Sequence, residues 1–327
     1  MIALLCAPAV PLIGVALVLA LGLRPSARAL IVAGVVWVAS AGIWFLVIPL
    51  PDVAALQGAI IASVTLVIAT VWPALHRLAV AALALLALVP LSFAGYDRAG
   101  GWLVASLDYV DFAALGMLGL AMGATALVLG WRGGEQAEQV RERWPLGSLA
   151  ALIGALGWIA LVVGSELAVD EITPILAANV TLAVGGGLAG WLGGELLLTR
   201  RVTPEALPAG LTAGALGVAA GVPWLPPAAA ASLGVIAGIS AAVAAAWASR
   251  DGRRPSARLA AITLPPSIVG LLGTGLLTSG PGWVNSGQPD LVFSELLGGA
   301  VIVVWAAVVA LLVARVGVRR ARATRAD

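Results

Sequence analysis

The residue types that most often carry enzyme chemistry are scarce in this chain. It has one histidine, His76, and one cysteine, Cys6, so it can form neither an internal disulfide nor a cluster of imidazoles around a metal ion. His76 precedes Arg77 at the end of a hydrophobic stretch, which favours an anchor at the membrane interface over a catalyst. The glycine run at 185–187 lacks the lysine and the hydroxyl residue of a phosphate-binding loop. The sequence therefore predicts no enzyme, no cofactor and no metal site.

The carboxylates crowd the ends of the hydrophobic stretches, where a charge costs least. Most of the polarity inside the stretches is neutral and comes from Gln57, Thr125, Asn179, Thr181, Thr263, Ser267 and Thr274. A carboxylate proton relay or a sodium-coupled carrier needs an ionisable group near the middle of the membrane. The pattern favours instead a pathway for a small neutral or weakly held solute.

The composition is that of a membrane protein. Hydrophobic residues make up 61% of the 327 residues and charged residues 10%, whereas a soluble domain carries about 25% charged residues. The mean hydropathy is +1.06. The net charge is only +2 and the basic residues flank hydrophobic stretches, so the isoelectric point of 9.3 reflects membrane topology and not nucleic-acid binding.

Eleven hydrophobic stretches have the length of membrane-spanning helices. They are Ile2–Leu23, Ala29–Leu50, Val53–Leu75, Leu78–Gly95, Asp108–Trp131, Leu146–Gly164, Pro174–Leu198, Leu207–Val222, Ala228–Ser249, Leu259–Ser279 and Leu291–Val313. No soluble domain separates them. The prediction is an all-α polytopic membrane protein, with about eleven transmembrane helices in a single transmembrane domain over residues 1–327.

The arginines give this bundle an orientation. The chain has no lysine, and every arginine except Arg98 lies either in alternate gaps between the stretches or in the tail at 314–327. Because basic residues stay on the cytoplasmic side of a membrane, the N-terminus is predicted outside and the tail inside. No basic residue precedes the first stretch, which argues against a cleaved signal peptide.

Two segments carry a more specific pattern. The first is Gly-Gly-Trp-Leu at 100–103, followed by Asp-Phe-Ala at 111–113 before the fifth span. The second leads into and along the seventh span and comprises Gly164-Ser165, Glu171-Ile172, Asn179, Gly190-Trp191 and Gly194-Glu195. Both segments resemble the ammonium transporter, methylammonium permease and Rhesus family. Looser similarities to the family's first, third and tenth spans lie at 22–24, 56–58 and 270–273.

The resemblance implies a homotrimer in the inner or plasma membrane, with one pore in each subunit. It implies two inverted five-helix halves, 1–131 and 146–279, followed by an eleventh helix at 291–313, an arrangement familiar in transporters. Members of the family pass ammonium or ammonia, some act as sensors, and many bind a PII-type signal protein on the cytoplasmic face.

The expected pore residues differ from those of the family. The two pore histidines map to Gly119 and Pro266, where small or rigid residues are expected to widen or distort the pore. The two phenylalanines above the pore map to Ile60 and Leu161, and the tryptophan of the outer binding site maps to about Ala99. These departures remove the groups suited to taking a proton from ammonium.

Three residues of the family's outer binding region are retained: Asp111, Ser165 and Trp158. Asp111 is expected either to stabilise a cation or to cap the fifth helix through its free N–H groups. Ser165 is expected either to hydrogen-bond ammonium or to satisfy a helix end. Trp158 is expected either to wall the outer binding site or to pack at an interface.

The sequence leaves three functions open. The first is an ammonium-transporter-like channel for ammonia, ammonium or a similar small solute, with neutral ammonia as the preferred permeant. The second is a sensor or scaffold that kept the fold without transport and contacts a partner through the basic loops at 132–143 and 250–258. The third is a channel or carrier for a different small neutral solute.

Overall fold

A computed structural model describes residues 1–96, 100–132, 135, 144–249 and 254–323, with side chains up to Arg315. Within these ranges the regular structure is entirely helical, as the composition predicted. Arg98, Ala99 and most of the two basic loops lie outside the described residues.

The helices follow one another with short connections. In chain order they are α1 (Ile2–Cys6), α2 (Pro11–Ala20), α3 (Ala27–Val47), α4 (Pro51–Val71), α5 (Arg77–Leu83), α6 (Val89–Ala94), α7 (Trp102–Leu107), α8 (Met122–Arg132), α9 (Trp144–Ser165), α10 (Thr173–Thr199), α11 (Ala206–Leu216), α12 (Pro227–Ala248), α13 (Pro255–Leu277), α14 (Trp283–Ser286) and α15 (Asp290–Ala323). Wider π-helical turns at Ala84–Leu88 and Gly116–Ala121 lead directly into α6 and α8.

Nine helical segments of the described chain are long and apolar enough to cross a membrane, and two shorter apolar segments, Gly116–Arg132 and Ala206–Leu216, complete the set. The predicted eleven stretches are thereby confirmed. Several boundaries differ by a few residues or more, and two of the differences change the course of the chain. The fifth span begins at Gly116 and not at Asp108, because the backbone has positive φ at Asp108 and Ala114 and cannot continue as a helix there. The helix of the eighth span ends at Leu216, and a series of turns follows it.

Close helix packing rests on glycine, whose missing side chain lets helix backbones approach one another. At Gly187 an added Cβ would collide with Gly214 of α11, and at Gly238 of α12 it would collide with the carbonyl oxygen of Gly187. By contrast, Gly185 and Gly193 on the same helix α10 have open space beside them. One face of α10 therefore approaches α11 and α12 backbone to backbone.

Pro265 and Pro266 lie inside α13, which remains helical from Pro255 to Leu277. The two prolines remove backbone donors but do not end the helix. The Oγ of Ser267 donates to the Thr263 carbonyl, 2.7 Å away, in the turn that carries the prolines.

A buried ion pair joins the N-terminal ends of two helices at one end of the bundle. Glu205 immediately precedes α11, and its carboxylate contacts the guanidinium of Arg258 in the first turn of α13. Both side chains are about nine-tenths buried. A cavity of about 210 Å³ lies beside the pair.

Candidate functional site

A cavity of about 500 Å³ lies at the opposite end of the bundle from the Glu205–Arg258 pair. Its walls come from the first turns of α4, the end of α6, the end of α9, the irregular segment 108–114 and the turns after α11. Three of the pore and binding residues predicted from the sequence line it: Asp111, Ser165 and Ile60. We refer to it below as the main cavity.

Asp111 meets the main cavity from the irregular segment before the fifth span. Its two carboxylate oxygens accept hydrogen bonds from the backbone N–H groups of Leu115, at 2.7 Å, and Gly116, at 2.8 Å. The capping expected from the sequence is therefore present. Burial raises the pKa of the Asp111 carboxyl to about 6, and the two backbone hydrogen bonds act in the opposite direction.

Ser165 is the last residue of α9, and its Oγ donates to the carbonyl of Leu161 at 2.8 Å. The hydroxyl thus satisfies a helix end and still borders the main cavity, so its two lone pairs remain available to a donor. Glu166 follows it at the cavity wall, where its carboxylate accepts from the hydroxyl of Thr173 at 2.7–2.8 Å. This end of α9 therefore presents a run of oxygen acceptors.

Four aromatic residues also line the main cavity, and only Phe112 belongs to a motif identified from the sequence: they are Tyr96, Tyr109, Phe112 and Trp224. The rings of Phe112 and Trp224 meet edge to face, with centroids 6.0 Å apart. Tyr96 packs at right angles on Trp44 outside the cavity, at 5.2 Å. Aromatic faces attract cations. The cavity thus contains aromatic side chains even though the positions matched to the family's aromatic residues do not carry them.

Trp158 and Leu161 are on α9 but not among the residues that line the main cavity. Both are almost completely buried, and Trp158 lies about two turns before Ser165. Among the described residues the indole N–H of Trp158 has no hydrogen-bond partner. Only the last turn of α9 reaches the cavity, so of the two expectations for Trp158, packing matches its position.

The positions of the family's histidines are tightly packed. A Cβ on Gly119 would collide with the Oγ of Ser267 and would lie 3.1 Å from a methyl group of Leu216. All three residues are buried. Of the widening or distortion expected from Gly119 and Pro266, widening does not occur beside Gly119, because Ser267, the residue after Pro266, fills that space.

The lone histidine lies away from these residues. His76 caps α5, where its Nδ1 accepts from the backbone N–H of Leu78 at 3.3 Å. In the described part of the chain, no group of three or more histidine, cysteine or carboxylate side chains is placed to hold a metal ion.

Comparison with known proteins gives one family and one fold. The model of the Ammonium Transporter Family matches residues 52–317, well over half of the chain. No curated protein matches the sequence. Among solved structures, Mep2 of Saccharomyces cerevisiae is 18% identical with a TM-score of 0.77, and the match covers 95% of this chain and 84% of that one.

Two further structures share the architecture. Mep2 of Candida albicans is 17% identical with a TM-score of 0.81, over 95% of this chain and 83% of its own. A structure described as a sensor Amt protein is 15% identical with a TM-score of 0.76, over 96% of this chain and 91% of its own. At these identities the matches establish the fold.

Proposed function

The chain belongs to the ammonium transporter family, and from this we propose that it is a membrane channel that passes ammonia, ammonium or a similar small solute. The observation that carries the proposal is the main cavity. There the Asp111 carboxylate, the Ser165 hydroxyl and the aromatic rings of Phe112 and Trp224 border one space. Carboxylate, hydroxyl and aromatic faces are the groups that attract a small cation.

The preferred permeant is neutral ammonia. Beyond the main cavity, the contact among Gly119, Leu216 and Ser267 presents no titratable side chain. A cation that enters this region loses its hydration without gaining a counter-charge, whereas ammonia loses far less. We therefore propose that the main cavity concentrates ammonium and that the packed region favours the uncharged form.

The test is flux into proteoliposomes that contain the purified protein. An imposed gradient of ammonium or methylammonium should change the internal pH faster than in empty liposomes. Asp111→Asn should slow this change, while Gly185→Ala, on the open face of α10, should leave it unaltered. Flux no greater than that of empty liposomes would rule out the channel.

We also propose the inner or plasma membrane, an outer N-terminus and a cytoplasmic tail. The distribution of arginines supports this orientation, since all but Arg98 lie in alternate gaps or in the tail. The division into two inverted halves, 1–131 and 146–279, with a final helix at 291–313, is likewise proposed. So are the homotrimer and a PII-type partner on the cytoplasmic face, both of which rest on family membership.

A second candidate is a sensor that binds ammonium without passing it. The packing of Ser267 against Gly119 favours it, because this contact leaves no open space between the two residues for a solute to pass. A protein of the same fold is described as a sensor. The two candidates differ in one measurement: a sensor shows ammonium-dependent stabilisation of the purified protein but no flux in proteoliposomes.

A further inference from the structure

The cavity beside the Glu205–Arg258 pair, called the second cavity below, lies at the end of the bundle opposite the main cavity. Its walls come from the C-terminal parts of α10 and α12, the connection before α11 and the first turn of α13. Its volume of about 210 Å³ is several times the roughly 30 Å³ that one molecule occupies in liquid water. The second cavity therefore has room for a small organic molecule.

The hydroxyl groups that line the second cavity have already donated their protons. The Thr203 hydroxyl donates to the Glu195 carboxylate at 2.8 Å, and the Thr199 hydroxyl to the Glu195 main-chain carbonyl at 2.8 Å. The Ser249 hydroxyl donates to the Ala245 carbonyl, also at 2.8 Å. A hydroxyl has one proton and two lone pairs, so these groups can only accept from a guest. Together with the two carboxylates of the wall, they favour a guest that carries N–H donors.

Two buried polar atoms of the wall have no hydrogen-bond partner. Glu205 contacts Arg258 through its Oε2, while its Oε1 has no partner among the described residues. The indole N–H of Trp191, a residue that is 5% exposed, also has none in the described chain. A buried polar group without a partner costs free energy that a bound molecule can recover. The second cavity therefore favours a polar guest over an apolar one.

Arg201 adds hydrogen-bond donors to this acceptor-rich wall. It is exposed, and its guanidinium forms no hydrogen bond or ion pair with any residue that the structure describes. A guanidinium carries five N–H donors in a planar fork and can hold a carboxylate through two of them. Glu195 and Glu205 are less exposed than Arg201. The second cavity thus offers donors for an anionic group at its exposed side and acceptors for a cationic group along the rest of its wall.

We propose that the second cavity binds a small free amino acid as its zwitterion, with the carboxylate on Arg201 and the ammonium group on the acceptors around Glu195 and Thr203. Two glutamates and two arginines line the cavity, so its formal charge is zero, and a zwitterion matches it better than a simple anion or cation does. In the proposed orientation this end faces the cytoplasm, so the guest comes from the amino acids of the cell.

This site is separate from the route proposed for ammonia. The residues that close that route, Gly119, Leu216 and Ser267, do not line the second cavity. Binding there is therefore independent of whether the protein conducts.

The experiment measures the thermal stabilisation of the purified protein in nanodiscs by L-alanine, ethylammonium chloride and sodium propionate at one ionic strength. L-alanine carries both charged groups, ethylammonium only the cationic one and propionate only the carboxylate, and the three are similar in size. Ethylammonium bound in the main cavity does not depend on Arg201, so the part of each stabilisation that Arg201→Gln removes is compared. L-alanine should act at the lowest concentration, because only L-alanine engages both kinds of group.

Two pairs of matched variants test the wall. Arg201→Gln should weaken the apparent affinity for L-alanine about tenfold, because it removes the charged donors, whereas Arg200→Gln changes an exposed neighbour that does not line the cavity. Ser249→Ala should weaken it about threefold, because it removes one acceptor. Ser232→Ala is its control, since Ser232 also donates to the carbonyl four residues earlier but lies outside the cavity.

The outcomes separate this proposal from the channel. The absence of stabilisation by L-alanine, an equal effect of propionate, or an affinity within twofold of wild type in Arg201→Gln would overturn the amino acid site even if the wild type conducts. Weakened binding in Arg201→Gln and Ser249→Ala, but not in Arg200→Gln and Ser232→Ala, supports the site even if no flux is found. All four changed side chains are exposed, and unfolding temperatures without ligand show whether each variant is folded.

Discussion

The side chain of Ser267 fills the space that a side chain at Gly119 would need. The two residues come from separate helical segments, the π-helical turn before α8 and the middle of α13, and both are buried. The family resemblance assigns the two pore imidazoles to Gly119 and to Pro266, the residue before Ser267. The contact makes Gly119 and Ser267 depend on each other.

Gly119→Ala should lower the free energy of unfolding by about 1–3 kcal/mol, because its Cβ overpacks against the Ser267 Oγ. Adding Ser267→Ala should recover part of the loss, since it removes the atom in the way. Thermal unfolding of the two single variants and the double variant, in detergent, gives the coupling between the sites. Strictly additive effects would show that the two side chains do not compete for space.

Ammonium binding should weaken as the pH falls through about 6. The pKa of Asp111 is raised to about 6, so its carboxyl is neutral below that pH and anionic above it, and only the anion attracts the cation. Ammonium-dependent stabilisation measured from pH 5 to pH 8 tests this. Asp111→Asn should bind weakly and lose the transition, while Tyr109 and Glu295, the other titratable groups beside Asp111, are left in place. A transition that persists in Asp111→Asn would assign it to one of those groups.

Arg258→Met should cost about 3–5 kcal/mol of stability, because it leaves the buried Glu205 carboxylate without the guanidinium that it contacts. Glu205→Leu and Arg258→Met test the two partners separately by thermal unfolding. The double variant should be more stable than either single variant, since it leaves no unpaired charge. If it is less stable than both, the pair contributes more than mutual neutralisation.

Gly238→Ala should destabilise the protein by about 1–3 kcal/mol, because its Cβ would meet the carbonyl oxygen of Gly187 where α12 crosses α10. Gly185→Ala is the matched control: that glycine is also within a helix but has open space beside it. Alanine there should be neutral or slightly stabilising, because it favours the helix. Equal loss of stability in both variants would show that the contact with the Gly187 carbonyl oxygen does not decide the result.

The spans were predictable because each helix must be long and apolar to cross a membrane, and that requirement is local in sequence. The start of the fifth span was not, since it depends on positive φ at Asp108 and Ala114, neither of which is a glycine. The end of the eighth was missed for a similar reason: the residues after Leu216 stay apolar and buried while the backbone turns.

The candidate site was predictable only in part. Three lining residues of the main cavity were predictable, because they lie on motifs or at matched positions that the resemblance identifies. They are Asp111, Ser165 and Ile60. Tyr109 and Trp224 were missed because their importance arises from contacts between distant parts of the chain. The sequence offered one sign that Tyr109 belongs to the site: it is one of only two tyrosines and lies two residues before Asp111.

Two main-chain hydrogen bonds tie the segment before the fifth span to the turns after α11: the N–H of Phe112 donates to the Ala220 carbonyl and that of Ala113 to the Ala219 carbonyl, each at 3.0 Å. Main-chain bonds of this kind do not depend on which side chains the residues carry. The backbone around the cavity can thus keep its conformation while mutations change the side chains that line it. Selection for a new permeant, or for sensing alone, can act on that lining without rebuilding the bundle that holds it.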